Sequence, residues 1–181
     1  MATQAQLIPF SELAPGQAAK IKSDFVTNLV NRVANELTKS PTDLVVRDIR
    51  AASDIALYSA GVAIAVEDWA CITGGTTANA YETMATGTIA DTRWIGIYGV
   101  KINGSCSCTA LRFTVGGSER IIWQLQALRE DDDYTGLSVA GVVIPQNTPY
   151  TISRWVRVLS SSAFIVLKGV VVESRGLVIS P

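Results

Sequence analysis

The hydrophobic pattern of the chain changes period once, near residue 41. Apolar residues recur at three- and four-residue steps through residues 17–40, which predicts one amphipathic helix. Ser40-Pro41 ends this helix, because the residue before a proline avoids the α region. From Thr42 onward the apolar residues alternate or form short continuous runs, which is typical of strands. The apolar stripe of the predicted helix comprises Ile21, Phe25, Val26, Leu29, Val30, Val33, Ala34 and Leu37.

About nine short strands are predicted after residue 42, at a spacing of roughly 8–12 residues. They cover residues 43–50, 54–72 (one broken strand or two), 93–103, 108–115, 119–129, 137–145, 150–159, 163–174 and 177–180. Gly116-Gly117-Ser118 predicts a hairpin turn. The Gly-, Thr- and Ala-rich residues 73–92 predict a long loop, and residues 130–136 a shorter one. No second helix is predicted between strands, which disfavours parallel βαβ units.

This order of elements predicts a mainly β protein. Its body is an antiparallel β-sandwich over residues 42–181, preceded by an N-terminal arm and one amphipathic helix in residues 1–41. A length of 181 residues fits one domain with a short appendage. The arm, residues 1–16, has few apolar groups and two prolines. We expect it either to be mobile or to be ordered by docking on a neighbour.

Some predicted strands are apolar on both faces, among them residues 61–66 and 163–172. A strand that is buried on both sides needs a cover on its outer face. The helix can cover one patch, either by packing wholly on its own sheet or by burying part of its stripe against another copy. With 48% hydrophobic and 17% charged residues, the chain is expected to cover the rest by forming a homo-oligomer.

Composition narrows the possible chemistry. The chain has no histidine, which removes Ser-His-Asp and Cys-His nucleophile systems and the common zinc sites. A net charge of −1 disfavours a strongly basic nucleic-acid binder. Cys71, Cys106 and Cys108 are too few for a thiolate metal site and are interpreted as small buried residues. We expect no enzymatic activity, no cofactor and no metal.

The N-terminus has no signal-peptide pattern, and no apolar run reaches the roughly 18 residues of a transmembrane helix. We therefore expect synthesis in a cytoplasm and no membrane or nucleic-acid partner.

Three groups of residues leave alternatives open. The acidic run at residues 130–133 fits a solvated loop better than a calcium site, since it lacks spaced ligands. Glu67 and Asp68 beside Trp69 are the best local pattern for a glycoside hydrolase, which is a minor alternative. Arginines scattered among the later strands fit pairing across strands better than binding of single-stranded nucleic acid. These arginines are Arg112, Arg120, Arg129, Arg154, Arg157 and Arg175.

The second half of the chain resembles a known class of proteins. It reads ADTRWIGIYGVKI, TALRFTVGGSERIIWQLQAL, GVVIPQNTPYTISRWV and SAFIVLKGVVVESRGLVIS over about residues 90–181. This pattern is similar to jelly-roll-like sandwich proteins of virus particles, particularly minor capsid, cement and decoration proteins of double-stranded DNA bacteriophages. The resemblance implies a virion structural protein that is assembled in the host cytoplasm. It would stabilise a shell through contacts with copies of itself, a trimer being favoured, and with the major capsid protein or other virion proteins.

The residues expected at such contacts lie in the arm, on the helix and on the tryptophan-bearing segments. They are Leu7, Ile8, Phe10, Phe25, Leu29, Val33, Trp69, Tyr81 and Trp94. The rival hypothesis is a carbohydrate- or receptor-binding β-sandwich of a phage particle, with Trp69, Tyr81 and Trp94 as an exposed aromatic platform. Burial of those rings would end the rival hypothesis in this form.

Overall fold

A computed structural model describes residues 3–56, 58–59, 62–63, 69, 71–72, 77–103, 108–130, 134–157 and 163–175, and confirms the mainly β fold. The described strands are β1 (Thr3–Gln6), β2 (Ile8–Pro9), β3 (Leu44–Asp48), β4 (Tyr58–Ser59), β5 (Val62–Ala63), β6 (Cys71–Ile72), β7 (Ala80–Thr88), β8 (Arg93–Ile102), β9 (Cys108–Val115), β10 (Ser118–Gln124), β11 (Thr135–Ile144), β12 (Pro149–Val156) and β13 (Ala163–Ser174). The helices are α1 (Gln17–Leu37) and the short α2 (Gln126–Glu130), with 3-10 turns at Phe10–Glu12 and Pro41–Asp43.

Two sheets form the sandwich. The first sheet has the order β1-β10-β9-β12-β7, and the second has the order β2-β11-β8-β13-β3. The pairings of the first sheet are antiparallel except that β1 runs parallel to β10, and those of the second sheet are all antiparallel. The eight main strands are β3 and β7 to β13, and they can be numbered 1 to 8 along the chain. In these numbers the strand order of the first sheet is 2-7-4-5 and that of the second sheet is 1-8-3-6. Consecutive strands thus mostly alternate between sheets, which is a jelly-roll-like order.

Helix α1 packs on the outer face of the second sheet. Its buried residues are Ile21, Phe25, Leu29, Val33 and Ala34. They meet Trp94 and Tyr98 of β8 and Val170 and Val172 of β13, while Val171 faces the core between the sheets. The indole nitrogen of Trp94 also donates a hydrogen bond to Glu36 Oε2 at 3.2 Å. The helix therefore covers its own sheet, which explains why residues 163–172 are apolar on both faces.

The arm joins both sheets of its own chain. Residues 3–6 pair with residues 121–124 of β10, and Ile8 and Pro9 pair with β11. Leu7, between these two strands, is 1% exposed and lies in the core. The expectation that the arm is mobile or docked on a neighbour is wrong for these residues. Their backbones pair with β10 and β11 of the same chain, and Leu7 is buried in the core of that chain. The boundary at residue 41 thus separates two parts that share one core.

The predicted loop at residues 73–92 is wrong over residues 80–88, where β7 forms. The pairing of β7 with β12 shifts register at Ile152/Ser153, so that Met84 and Ala85 are both buried in succession. This irregularity breaks the two-residue period from which a strand is predicted.

The strand predicted for residues 119–129 is too long. Strand β10 ends at Gln124 and α2 follows, with Leu125 and Leu128 buried in the core. Of the strand predicted at 54–72, the described parts are the short strands β4, β5 and β6, and residues 51–55 form a turn. Ala56 and Trp69 are described but belong to no strand, and the remainder of residues 54–72 lies outside the described residues, as do residues 176–181.

Several strands match their predictions closely. The bounds predicted for β9 (108–115) and β13 (163–174) are confirmed. The turn between β9 and β10 uses Gly116 and Gly117 with φ of 61° and 74°. Positive φ at both central residues is what a two-residue hairpin turn of this hand requires, and glycine adopts it without steric cost.

The core position of Leu7 is testable. Leu7→Ala is expected to lower the free energy of unfolding by about 2–4 kcal/mol, because it leaves a cavity among packed side chains. Phe10→Ala, three residues further on at a ring that is 53% exposed, is the matched control and should change it by less than about 0.5 kcal/mol. Urea unfolding followed by tryptophan fluorescence measures both. Equal small effects would contradict the assignment of the arm to the core.

The close approach of α1 to β8 depends on Gly96. A Cβ added there would lie 2.5 Å from Leu29 Cδ2 and 2.7 Å from Phe25 Cε1, so the helix would have to shift. We expect Gly96→Ala to destabilise the protein by about 1–3 kcal/mol. Adding Leu29→Ala should then cost less than Leu29→Ala does alone, because the new methyl group fills part of the space. Additive effects in urea unfolding would argue against this contact.

Candidate functional site

The outer face of the first sheet carries an aromatic–arginine patch, which we define as Tyr81, Arg112 and Trp155. Tyr81 of β7 lies opposite Trp155 of β12, and the two rings pack edge to face with centroids 4.9 Å apart. The guanidinium carbon of Arg112 on β9 lies 4.0 Å from the centroid of the Tyr81 ring. Such a distance gives a cation–π interaction that orients both side chains.

The patch is fixed by the strand register. Strand β12 lies between β7 and β9, and Ser153 at its centre is paired with both Arg112 and Thr83. The strands therefore bring together three residues that are far apart in the sequence. All three side chains are only partly buried, and α1 packs on the opposite sheet, so the patch faces outward.

Arg112 has unused hydrogen-bonding capacity. Its Nη1 lies 3.5 Å from Glu119 Oε2, a partly exposed pair, whereas its Nε is buried and makes no hydrogen bond. Burial raises the pKa of Tyr81, and the nearby Arg112 charge opposes this rise. The Tyr81 hydroxyl is therefore neutral at physiological pH. The patch can donate hydrogen bonds and offer aromatic surface, which suits binding.

Among the described residues, Arg47, Asp54, Arg93 and Glu173 form a charged cluster. Both Nη atoms of Arg47 bind the two oxygens of Asp54 at 2.6 and 2.7 Å, and Nη2 also reaches Glu173 Oε1 at 2.7 Å. Arg93 bridges the same carboxylates at 3.3 and 3.1 Å. The backbone N–H of Arg50 donates to Asp54 Oδ2 at 2.8 Å. Two positive and two negative groups thus neutralise each other.

The geometry of this charged cluster indicates that it stabilises the fold. The Asp54 side chain is fully buried and that of Glu173 is 8% exposed. The hydrogen bond to Asp54 raises the pKa of Arg47, although burial opposes it. Both carboxylates are held by arginines rather than aimed into a cleft. The cluster ties the turn after β3 to β8 and β13. Glu67 and Asp68, the carboxylates of the hydrolase alternative, lie outside the described residues, as do Asp131–Asp133 and Cys106.

The structure corrects the predicted contact residues in part. Leu7, Phe25, Leu29, Val33 and Trp94 are buried inside the chain, at 7% exposure or less. Leu7 fills the core between the sheets and the other four form the layer between α1 and the second sheet, so little of their surface is left for a partner.

The other predicted contact residues have some exposed surface. Phe10 is exposed, Ile8 is half-buried in β2, and Trp69 is half-buried against the core. Tyr81 belongs to the aromatic–arginine patch. The aromatic platform of Trp69, Tyr81 and Trp94 does not exist in that form, since Trp94 is fully buried.

Sequence reasoning missed Trp155 and Arg112 as neighbours of Tyr81. In the sequence, Arg112 stands out only as one of several arginines on the later strands, and Trp155 is not among the predicted contact residues. Since residues 80–88 were predicted to be a loop, no register could place Tyr81 opposite Trp155. Tyr81 and Trp155 can be recognised as neighbours only after β7 is identified as a strand that pairs with β12. Arg112 and Arg154 do pair across strands, with Glu119 and Glu82, as the arginine interpretation expected.

Within the described residues, no group of three or more Cys, Asp or Glu side chains is arranged to hold a metal ion. No described helix is both long and apolar enough to cross a membrane. Comparisons with protein-family models, with curated proteins and with solved structures found no match for this chain.

The structural role of the charged cluster is testable through Asp54→Asn. The amide leaves Glu173 as the one carboxylate of the cluster against the two guanidinium groups of Arg47 and Arg93 in a largely buried site, so we expect a loss of about 2–4 kcal/mol in the free energy of unfolding. Asp24→Asn, which removes the exposed pair of Asp24 with Lys20 on α1, is the control and should cost less than about 0.5 kcal/mol. Urea unfolding at neutral pH compares them, and a loss as small as that of the control would contradict this role.

Proposed function

We propose that the protein is a structural component of a virus particle, in the role of a capsid cement, decoration or minor capsid protein. The jelly-roll-like order of its strands supports this role, because that architecture is frequent in viral capsid domains. Fold alone does not assign function. The observation that carries the proposal is the aromatic–arginine patch on a sheet face that α1 leaves uncovered.

The patch has the composition of a protein–protein contact. Tryptophan, tyrosine and arginine are the residues that most often dominate the binding energy of an interface. Here the three residues are oriented by one another, so little side-chain entropy remains to be lost on binding. Nη1 of Arg112, whose 3.5 Å contact with Glu119 is partly exposed, offers a donor to an incoming carbonyl or carboxylate.

In this proposal the protein acts by binding and catalyses no reaction. Copies associate as a homo-oligomer, with a trimer favoured, and bind the major capsid protein or other virion proteins. Bound subunits stabilise the assembled shell by mass action. The location is the virion after assembly in the host cytoplasm, and the proposal includes no enzyme activity, cofactor, nucleic acid or membrane. Since the stripe of α1 is buried, the contacts fall to the first sheet and to exposed groups such as Phe10.

The alternative is a carbohydrate- or receptor-binding sandwich on a phage particle. The partly exposed Tyr81 ring, flanked by Trp155 and Arg112, favours it, because aromatic faces with nearby donors also suit sugars. A glycan-array screen distinguishes the two. Specific glycan binding that is lost in Tyr81→Ala would favour the alternative.

Sedimentation velocity over a hundredfold range of concentration tests the structural proposal. We expect the wild-type chain to form a trimer that persists on dilution, and Trp155→Ala to shift it toward monomer by weakening association at least about tenfold. Arg112→Gln should also weaken trimer association, and it is less disruptive to folding than Trp155→Ala. Val46→Ala, which truncates a side chain that is 41% exposed on the second sheet, is the control and should leave the trimer intact.

A monomer at every concentration would overturn the homo-oligomer part of the proposal. A stable trimer that is unaffected by both patch variants would keep the oligomer but move its contact away from the patch. Circular dichroism of each variant verifies that the loss of association is not a loss of fold.

A further inference from the structure

A groove on the outer face of the second sheet collects positive charge. It has a volume of about 440 Å³ and lies between the first turns of α1 and strands β8, β11 and β13. We call it the lysine groove, because Lys22, Lys101 and Lys168 line it. These are three of the five lysines in the chain. Its apolar lining includes Ala18, Ala19 and Leu137, and Phe10 stands at its edge with 53% of its surface exposed.

The strand register places two of these charges side by side. Lys168 of β13 is paired with Gly99 of β8, and Lys101 lies two residues further along β8. Lys101 and Lys168 are thus diagonal neighbours on one face, a separation of about 7–8 Å for adjacent strands. Like charges at this spacing repel each other, so a bound anion would relieve an unfavourable interaction.

The positive charge of the groove is poorly compensated among the described residues. No described carboxylate lines the groove, and neither Lys101 nor Lys168 makes a hydrogen bond or an ion pair through its side chain. Lys22 has a partner in Asp48, at 3.8 Å, but both side chains are half exposed or more and the pair is weak.

Tyr98 adds a polar group to the same groove. A register shift between Lys168 and Gly169, opposite Ile97–Gly99, lets the side chain of Tyr98 face α1 beside Lys22. Burial raises the pKa of its hydroxyl, and the Lys22 charge opposes this rise, so the group is neutral near pH 7. A phenol hydroxyl can then donate a hydrogen bond to a carboxylate.

We infer that the lysine groove binds an acidic peptide segment of a partner protein, with an apolar side chain seated between its carboxylates. Three ammonium groups match the carboxylates, and Ala18, Ala19, Leu137 and Phe10 offer a surface for the apolar side chain. The site adds to the proposed virion role without depending on it, because it is complete within one chain.

Other anionic partners fit the groove less well. Nucleic acid is bound along a continuous basic track with many phosphate contacts, whereas this groove is short and the chain has a net charge of −1. An anionic membrane surface is recognised by clusters of about four to eight basic residues. A compact site with three lysines and an apolar lining matches a short peptide.

Fluorescence anisotropy on the full chain tests this inference. The probe is a fluorescein-labelled hexapeptide of sequence Asp-Glu-Leu-Phe-Glu-Asp, and its control carries Asn and Gln at the acidic positions. At about 50 mM salt we expect the acidic peptide to bind and the amide peptide not to bind, with affinity falling as salt is raised. Lys101→Gln and Lys168→Gln should each weaken binding about three- to fivefold, and the double variant at least about tenfold.

Lys20→Gln is the matched control. Lys20 lies on the same helix and is exposed, but it pairs with Asp24 and does not line the groove. Its replacement removes the same charge and should change the affinity by less than about twofold. Lys20→Gln weakening binding as much as Lys101→Gln would show non-specific attraction and overturn the site, as would absence of binding at millimolar peptide.

Two further outcomes would assign the groove to another occupant. A twelve-nucleotide oligothymidylate that binds more tightly than the peptide, and loses affinity in the Lys101/Lys168 double variant, would assign the groove to nucleic acid. Peptide binding that appears only in E130Q/D131N/D132N/D133N would mean that the acidic run of the chain itself occupies the groove. Either result overturns a partner peptide, and circular dichroism verifies that each variant is folded.

Discussion

The structure depends on the burial of β8 and β13 from both sides. Their inward residues, such as Ile95 and Val171, pack in the core between the sheets, and their outward residues, such as Trp94 and Val172, pack under α1. A sheet of this kind is stable only with two apolar layers against it. The helix supplies the second layer, and the absence of a side chain at Gly96 lets Phe25 and Leu29 of α1 pack close to the backbone of β8.

Among the described residues, charged side chains have ion-pair partners at one end of β8 and β13 and lack them toward the other end. Near the start of β8 and the end of β13, Arg93 and Glu173 belong to a cluster in which every charge has a partner. Toward the other end, Lys101 and Lys168 lie together without one. A satisfied buried cluster holds the fold in one arrangement, whereas uncompensated exposed charge costs little and remains available to a ligand. One end of the two strands thus stabilises the fold, and the other end carries the proposed binding groove.

Much of the fold follows from the sequence because it is encoded by local periodicity. The stripe from Ile21 to Leu37 predicts α1, and the apolar run of β13 is recognisable as a strand wherever it pairs. Strand β7 was missed because a register shift buries Met84 and Ala85 in succession, and its threonines and glycine resemble a loop. Its identity depends on pairing with β12, which local sequence does not encode.

The contact residues were harder to predict for a related reason. An apolar helical stripe has the same pattern whether it packs on its own sheet or on another subunit, so Phe25, Leu29 and Val33 were assigned to the wrong surface. The aromatic–arginine patch joins β7, β9 and β12, and only the sheet order makes neighbours of Tyr81 and Arg112. Surfaces that are built across strands need the topology before they can be recognised.

The pairing of the arm has a consequence for how the chain folds. Strand β1 is synthesised before its partner β10, which begins at residue 118, and β2 is synthesised before its partner β11, which begins at residue 135. Until the ribosome has passed β10 and β11, Leu7 has no core to enter and the arm has no strands to join. The sandwich therefore closes late through contacts between distant residues, and loop-closure entropy makes such folding slow. The strands of the arm thus precede their partners in the chain and are among the last to be paired.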